Sequence, residues 1–336
     1  VTWAPGYSTW DVMQMAGEID CVDEYYSNDA ELITMIPGDS IQAEGNYSQL
    51  RNIFTSREEN DYKVSLTPSA NLFSLSESQE HACVSKSGTS VLYAPKGLPY
   101  HRSGDRRLSE TYYEGYTRDR ATGERIETQS IYKYSTRNVH IYRKQMVYFR
   151  LAEALNMIGY PRMAFQILSQ GLNNDVIQEE VYPYYSESDS IWISQLDFPV
   201  SRYGIYTVEN LIQGRTTGAI NTMGMHSRGS GWTPMNEYYQ LPEDSTMTEA
   251  QLMPIQQQYV KELLLTEDAL EFAFEGVRFY DLMRFALREP NPGKFLSDKV
   301  CARKGEGYLE SMRSEIKKDL TNQNNWYLQW NGKIGF

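Results

Sequence analysis

The sequence predicts a mainly α-helical fold, built from helical hairpins with long irregular loops and a few short strands. Two stretches with apolar residues at helical spacing, 143–171 and 266–288, support this prediction most strongly. Between them, glycine and proline interrupt residues 84–142, and residues 173–244 show no clear helical period, which favours loops. At 336 residues the chain is long enough to bury a sizeable core, and we expect a single domain over residues 1–336 that lacks its N-terminal portion.

The N-terminal part of the chain is predicted to contain short elements. Apolar spacing indicates a helix within residues 1–30, and an extended run follows from Ala30 to Asp39, closed by a Pro-Gly turn. A helical turn is expected from Tyr47 to Phe54, and alternation from Tyr62 to Thr67 is typical of a strand. Loops and short strands should then continue through residues 84–142.

The stretch from Arg143 to Gly171 predicts two antiparallel helices joined by a short turn. Gly159 suits the end of the first helix, and Pro161 suits the first position of the second. Small residues at Ala152, Ala154 and Ala164 would let the two helices approach closely. The pattern resembles one tetratricopeptide-type hairpin. One predicted core face of the first helix consists of Val147, Leu151, Ala154, Leu155 and Ile158.

Residues 172–247 are a loop-rich stretch and the main candidate for ligand binding. Tyrosine and tryptophan present an apolar face with a polar tip, so aromatic residues on loops suit the stacking of sugar rings or peptides. The alternative is that these rings fill a core beneath a long loop. The predicted ligand-binding residues, including two from an earlier loop, are Trp192, Trp232, Tyr238, Tyr239, Arg228, Asn236, Tyr100 and Arg102.

A glycine-rich run, His226–Trp232, lies at the centre of this stretch. It lacks the spacing of a phosphate-binding loop, and no clear strand precedes it. We interpret it as a turn that brings His226 and Trp232 to a shared surface.

The stretch 266–288 is predicted to be one helix capped by Thr266, within a helical region that begins at Thr248 and spans residues 248–288. Gly276 would mark a kink or a close backbone contact. Glu267, Glu271 and Glu275 recur every four residues and lie in one row. Two interpretations compete for them: a catalytic carboxylate pair that cleaves glycosidic bonds, or ion pairs that hold the helix. We favour the second, with Arg278 reaching Asp281 in the same helix.

Composition excludes several other classes of function. A formal net charge of −12 and a pI of about 5.0 argue against nucleic acid as a partner. The cysteines Cys21, Cys83 and Cys301 are far apart, and the 4 histidines have no metal-ligand spacing, so the sequence indicates no metal site and no disulfide framework. No nucleophile, zincin or dinucleotide motif is present, so no cofactor is expected.

The C-terminal stretch resembles a multi-residue signature of the SusD/RagB family of outer-membrane nutrient-capture lipoproteins. The chain departs from it at Asp268, where the family often has arginine. Three further segments are similar to family motifs: residues 149–168, Gly104–Arg107, and Trp326–Leu328 near the end. The signature positions matched are Glu267, Glu271, Phe274, Glu275, Gly276, Arg278, Phe279, Asp281, Leu282 and Arg284.

The resemblance implies a SusD-like α-α superhelix of tetratricopeptide-like hairpins, anchored by lipid on the surface of the outer membrane of a Bacteroidetes-type bacterium. Such a protein would bind a glycan or an oligopeptide and deliver it to a SusC-type TonB-dependent transporter, without catalysis. The phrases AFQILSQGL and HSRGSG are more similar to the RagB-like branch, which implies peptides. The competing interpretations are a surface or periplasmic glycoside hydrolase with a helical fold, and a pure interaction scaffold.

Overall fold

A computed structural model describes residues 32–38, 49–57, 61–84, 91–102, 105–131, 133, 138–195, 224–230, 239–303 and 316–327. Over these residues the fold is mainly helical with only short strands, which confirms the predicted fold class. The helix predicted within residues 1–30 lies outside the described part of the chain.

The described strands form antiparallel pairs. β1 lies within the predicted extended run, whereas the predicted strand from Tyr62 to Thr67 is irregular. The N–H groups of Ser65 and Leu66 donate to the carbonyl of Ile53. This segment is therefore hydrogen-bonded to the helix Leu50–Phe54 and not to a neighbouring strand. The pairs are β1 (Leu32–Ile36) with β6 (Val139–Arg143), β2 (His81–Val84) with β3 (Val91–Ala94), and β4 (Tyr112–Arg118) with β5 (Arg125–Ile131).

The β4–β5 hairpin lies where glycine and proline suggested mostly loops. Its turn is held by the Asp119 carboxylate, which accepts hydrogen bonds from the N–H groups of Ala121 and Thr122 at 2.8 and 2.7 Å. Gly123, with φ +73°, supplies the left-handed residue that this turn requires. Gly123 therefore marks the turn of a regular hairpin and not an irregular stretch.

The main helices surround one large core. Residues 316–320 are also helical. The main helices are α1 (Leu50–Phe54), α2 (Ala70–Glu77), α3 (Arg106–Thr111), α4 (Lys144–Met157), α5 (Pro161–Ser169), α6 (Glu187–Ile193), α7 (Met225–Ser230), α8 (Glu249–Glu271), α9 (Arg278–Ala286) and α10 (Pro292–Cys301).

Helices α4 and α5 form the predicted antiparallel hairpin. Gly159, at φ +97°, lies in the turn, and Pro161 occupies the first turn of α5. The buried face of α4 differs from the predicted one, because Val147 is 45% and Ile158 65% exposed. Apolar periodicity alone misplaced this face, since buried polar residues share it. The face consists of Gln145, Met146, Phe149, Ala152, Glu153, Leu155 and Asn156.

The predicted helix over 266–288 is two helices, α8 and α9. Thr248 and Gln251 form a capping box at the start of α8, so Thr266 lies inside that helix and caps nothing. Between the helices, Phe274 and Gly276 have φ values of +71° and +77°. Left-handed residues end an α-helix, so Gly276 marks a turn between two helices and not a kink within one.

Two hydrophobic clusters organise these elements. The larger one is formed mainly by α4, α5, α8 and α9, with Phe149, Ile167 and Leu264 at its centre. The smaller one joins α1, α3 and the β4–β5 hairpin through Phe54, Leu108, Tyr112 and Ile131.

None of the helices in the described part of the chain has the length and apolar character needed to cross a membrane.

Candidate functional site

An aromatic surface forms where the α4–α5 turn meets α6. We define it as Tyr160, Tyr184, Tyr185 and Trp192, together with the guanidinium of Arg162. Gly159 turns the chain so that Tyr160 precedes Pro161 at the start of α5, and a Ser186–Asp189 capping box starts α6, which carries Trp192. Two helix starts therefore fix the positions of these rings.

Hydrogen bonds lock the Tyr160 and Trp192 rings together. The indole Nε1 of Trp192 donates to the Tyr160 hydroxyl at 2.9 Å, and that hydroxyl donates to Asp189 Oδ1 at 2.6 Å. The rings meet edge to face, with centroids 5.0 Å apart at 78°. Tyr185 packs against Tyr160 at 5.1 Å. Because the polar tips are paired, the ring orientations are set before any ligand arrives.

A cavity of about 230 Å³ opens beside Tyr184 and Tyr185, whereas Tyr160 and Trp192 lie outside its lining. The Arg162 guanidinium lies 3.4 Å from the centroid of the Tyr184 ring and is ion-paired with Glu243. Tyr184 is 47% exposed, so part of its ring is free to contact a ligand. Leu252 and Met253 add apolar surface, and the polar lining residues include Glu249 and Gln256.

The hydroxyls of Tyr160 and Tyr185 are neutral at physiological pH. The hydrogen bond to Asp189 raises the pKa of Tyr160 above its ordinary value. Burial raises the pKa of Tyr185 to about 12. Neutral hydroxyls beside aromatic faces can stack on and hydrogen-bond a ligand, and neither group is poised to transfer protons near neutral pH.

The predicted ligand-binding residues lie in different places. Trp192 belongs to the aromatic surface. Tyr100 lies elsewhere, half-buried against Phe73 and Tyr112. Arg102 and Arg228 lie on described backbone, in a short turn and on α7, but their side chains fall outside the description. The residues outside the described part of the chain are Trp232, Asn236 and Tyr238.

Tyr239 and His226 lie in the core and not on a binding surface. Tyr239 is 4% exposed and stacks on His226, with ring centroids 3.7 Å apart at 7°. The His226 Nδ1 lies 2.7 Å from Glu267 Oε1. His226 is fully buried on α7, so the prediction that the glycine-rich run brings it to a surface is wrong. This run is a packing element, and its polar residues were mistaken for a surface turn.

Glu267 and Glu271 of α8, and Glu275 in the turn that follows it, are buried and paired with cations from elsewhere in the chain. Arg107 Nη2 contacts Glu267 Oε2 at 2.6 Å and Asp105 Oδ2 at 2.5 Å. Arg143 contacts both Glu271 and Glu275 at 2.8 Å, and Lys133 contacts Glu275 at 2.7 Å. The ion pairs of the second interpretation therefore exist, but they join α8 to other elements. The Asp105–Arg107 segment, similar to a family motif, lies at their centre.

These contacts keep Glu267 and Glu275 ionised. Burial alone would raise the pKa of Glu267, but Arg107 and His226 outweigh it and lower the pKa to about 2. Burial likewise opposes ionisation of Glu275, and Arg143 with Lys133 lowers its pKa. Carboxylates that are buried and fully ion-paired cannot contact a substrate, so this row does not form a glycosidase site.

A second charged cluster joins α8 and α9 to α4. Arg278 donates to Asp268 at 2.8 Å, and not to Asp281 as predicted. Asp281 instead contacts Arg284 and Arg150, each at 2.5 Å, and Arg284 also pairs with Glu153 of α4. The turn between α8 and α9 explains the difference, because it places the Arg278 guanidinium against the last turns of α8.

Sequence reasoning missed Arg162 and Glu243 as site residues. Tyr184 and Tyr185 lie in the aromatic-rich stretch that was singled out, so a signal for them was present. The sequence around Arg162 and around Glu243 does not distinguish them from other charged residues, since the two are far apart in sequence and the fold brings them into contact. No group of three or more metal-ligating side chains occurs among the described residues.

Residues 236–334 match the sequence model of the SusD family. This match lies in the C-terminal portion of the chain and supports the membership of the SusD/RagB family that the signature on α8 and α9 indicated. Members of this family are generally non-catalytic, nutrient-binding proteins of the outer membrane, typically lipoproteins, that work with SusC-like transporters. Comparison with curated proteins found no match, and comparison with solved structures found none.

Proposed function

We propose that the protein captures a nutrient, a glycan or an oligopeptide, at the aromatic surface around Trp192 and delivers it to a SusC-type TonB-dependent transporter. The observation that carries this proposal is the Tyr160–Trp192–Asp189 arrangement, which fixes two rings against Tyr185, a lining residue of an open cavity. Pre-oriented aromatic faces with neutral hydroxyls suit sugar rings and peptide side chains alike. In the same proposal the protein is lipid-anchored at the surface of the outer membrane and has no catalytic activity.

The cavity itself favours neither ligand class alone. The Arg162–Glu243 pair offers one group of each sign, which suits the two termini of a peptide. The same side chains can hydrogen-bond sugar hydroxyls. We therefore propose the stretch 172–247, joined by the start of α5, as the ligand-binding segment, and residues 143–171 and 248–288 as its helical scaffold within one SusD/RagB-like domain.

Titration of intrinsic tryptophan fluorescence with oligosaccharide and oligopeptide pools tests this proposal. We expect a saturable change with one pool, and Trp192→Ala should weaken binding about tenfold or more, as the loss of a stacked ring does. Tyr280→Ala is the matched control, because Tyr280 is an exposed aromatic, 63% exposed, that does not belong to the aromatic surface. An equal response of both variants, or no saturable binding by either pool, would contradict the proposal.

The same samples test the competing hydrolase interpretation. Each pool is incubated with the protein and analysed by chromatography for shorter products. We expect none, because the described signature carboxylates are buried in ion pairs. Steady release of product at a rate that scales with protein concentration would show that the protein is a hydrolase and not a capture protein. Co-purification with a SusC-type transporter expressed in the same cells tests the delivery step.

A further inference from the structure

A second groove lies between α2, the turn that follows α8, and the end of α10. Its volume is about 350 Å³, within the range of small-molecule sites, and it shares no lining residue with the cavity beside Tyr184 and Tyr185. Leu72 and Leu75 of α2 form one wall, and Phe274 and Phe279 form part of the other. These four side chains are only partly buried, so apolar surface remains open to an occupant.

The charged residues that line this groove are all basic. They are Arg278, Lys299 and Arg303, and none of the described lining residues is acidic. The chain as a whole carries a formal net charge of −12, so a basic rim departs from its average surface. We refer to this feature as the basic-rimmed groove.

Two of the three cations already have partners. Arg278 donates through Nη1 to Asp268 at 2.8 Å and remains 34% exposed, while Lys299 contacts Glu262 at 3.1 Å and is 33% exposed. Arg303 is exposed and has no carboxylate partner among the described residues. Among the described residues mainly one positive charge, that of Arg303, therefore lacks a carboxylate partner, which suits a ligand with a single negative charge better than a polyanion.

The apolar walls disfavour a purely polar ligand, although Thr67, Ser69 and Asn71 also line the groove. Sugar hydroxyls buried against Leu72, Leu75 and Phe279 would be left without hydrogen bonds, which is unfavourable. An aliphatic or aromatic body would instead gain from contact with these walls, while its anionic end meets the basic rim.

We propose that the basic-rimmed groove is a second binding site, which takes an amphiphilic monocarboxylate with an aliphatic or aromatic body. The carboxylate meets Arg303, assisted by Arg278 and Lys299, and the apolar body lies between α2 and the turn after α8. This site is independent of the aromatic surface, and so of the proposed nutrient capture.

Calorimetric titration of the full chain with three matched octyl compounds tests the proposal. The probes are octanoate, octanol and octylammonium, which share one apolar body and differ only in charge. We expect saturable binding in the order octanoate, octanol, octylammonium. No saturable binding of octanoate, or binding of octylammonium at equal strength, would overturn the proposal.

Variants then locate the site. Arg303→Gln should weaken octanoate about tenfold, since one charge-assisted contact is lost, and leave octanol unchanged. Lys294→Gln is the matched control, because Lys294 lies on α10 but pairs with Asp298 and does not line the groove. Trp192→Ala should leave octanoate binding unchanged, which separates this test from that of the aromatic surface. Equal weakening by Arg303→Gln and Lys294→Gln would show general charge attraction and overturn the proposal.

Discussion

Asp268 and Asp281 form a carboxyl pair at the junction of α8 and α9. Both are buried, at 3% and 1% exposed. Burial, and then the neighbouring Asp281 charge, raises the pKa of Asp268 to about 7. Burial opposes ionisation of Asp281 too, but hydrogen bonds from Arg284 and Asp268 lower its pKa. Asp268 therefore carries the proton and donates it in a hydrogen bond to the Asp281 carboxylate.

This arrangement predicts a stability that falls as the pH rises. The folded pKa of Asp268, about 7, lies above its ordinary value of 3.8, so between these values the folded state binds more protons than the unfolded state. The stabilisation is complete below the ordinary value and is lost as the pH rises through the folded value. From about pH 5 to about pH 7 the loss should reach up to about 1.4 kcal/mol per pH unit.

Urea unfolding of the native protein and of Asp268→Asn across this window measures the effect. An asparagine amide can still donate to Asp281 and accept from Arg278, but it does not titrate. As the pH rises, the free energy of unfolding of the native protein should fall relative to that of Asp268→Asn. Histidines and Glu267 are common to both, so their contributions cancel. A difference that stays constant with pH would show that Asp268 does not hold the proton.

At the scale of elements, helix α7 depends on a close approach to the Asp105–Arg107 pair. A Cβ added at Gly229 would lie 2.5 Å from Arg107 Nε and 2.7 Å from both carboxylate oxygens of Asp105. Those atoms are buried and paired with each other, at 2% and 0% exposed, so they cannot move aside cheaply. Gly229, the first glycine of the run HSRGSG, therefore allows α7 to pack closely against α3.

Comparing Gly229→Ala with Gly276→Ala tests this account. Alanine at position 229 should lower the free energy of unfolding by about 2–4 kcal/mol, because it separates a buried ion pair or forces α7 outward. Gly276 has φ +77° with nothing within 4 Å of an added Cβ, so only backbone strain of about 1–2 kcal/mol applies there. Urea unfolding measures both variants. Equal costs, or a smaller cost at position 229, would contradict the packing role.

The elements show which parts of the fold the sequence can predict. The α4–α5 hairpin was predictable because Gly159 and Pro161 act locally. The break in the helix predicted over 266–288 was missed, because a bulky residue such as Phe274 rarely adopts the left-handed conformation and its type gives no hint of one. The buried face of α4 was misplaced because Glu153 and Asn156 are buried only through partners on other helices.

The same limit applies to the aromatic surface. Trp192 was predictable as a loop-borne aromatic, whereas its partner Tyr160 and the neighbouring Arg162 belong to the scaffold hairpin and join it only in three dimensions. Tyr239 has the same composition signal as Trp192 but is buried against His226. Residue type identifies candidates for stacking, and the fold decides which of them reach solvent.

At the scale of the whole molecule, ion pairs bring together distant parts of the chain. Glu267, Glu271 and Glu275 lie within residues 236–334, the part that matches the SusD family. Their cations, Arg107, Lys133 and Arg143, all lie outside it, as does His226. Three carboxylates of the family signature thus have partners that precede the matched part of the chain.

This separation predicts that residues 236–334 do not fold alone. Without its cations the glutamate row would be buried as unpaired charge, which costs several kcal/mol per ion, so the segment stays open or leaves the row in water. Removal of α4 and α5 also takes away much of the large core, including Phe149 and Ile167. We expect the isolated segment to show helical circular dichroism but no cooperative urea transition, with no fixed near-ultraviolet signal from Trp326.

The full chain under the same conditions is the reference, and should unfold in one transition that far- and near-ultraviolet signals report alike. A second segment, with Glu267, Glu271 and Glu275 all replaced by glutamine, separates the two causes. If charge burial is the main obstacle, this variant should regain helix content and compactness; if the missing core dominates, it should behave like the first segment. A cooperative transition in the unmodified segment would show that the ion pairs are dispensable for folding, and that the signature is maintained for another reason.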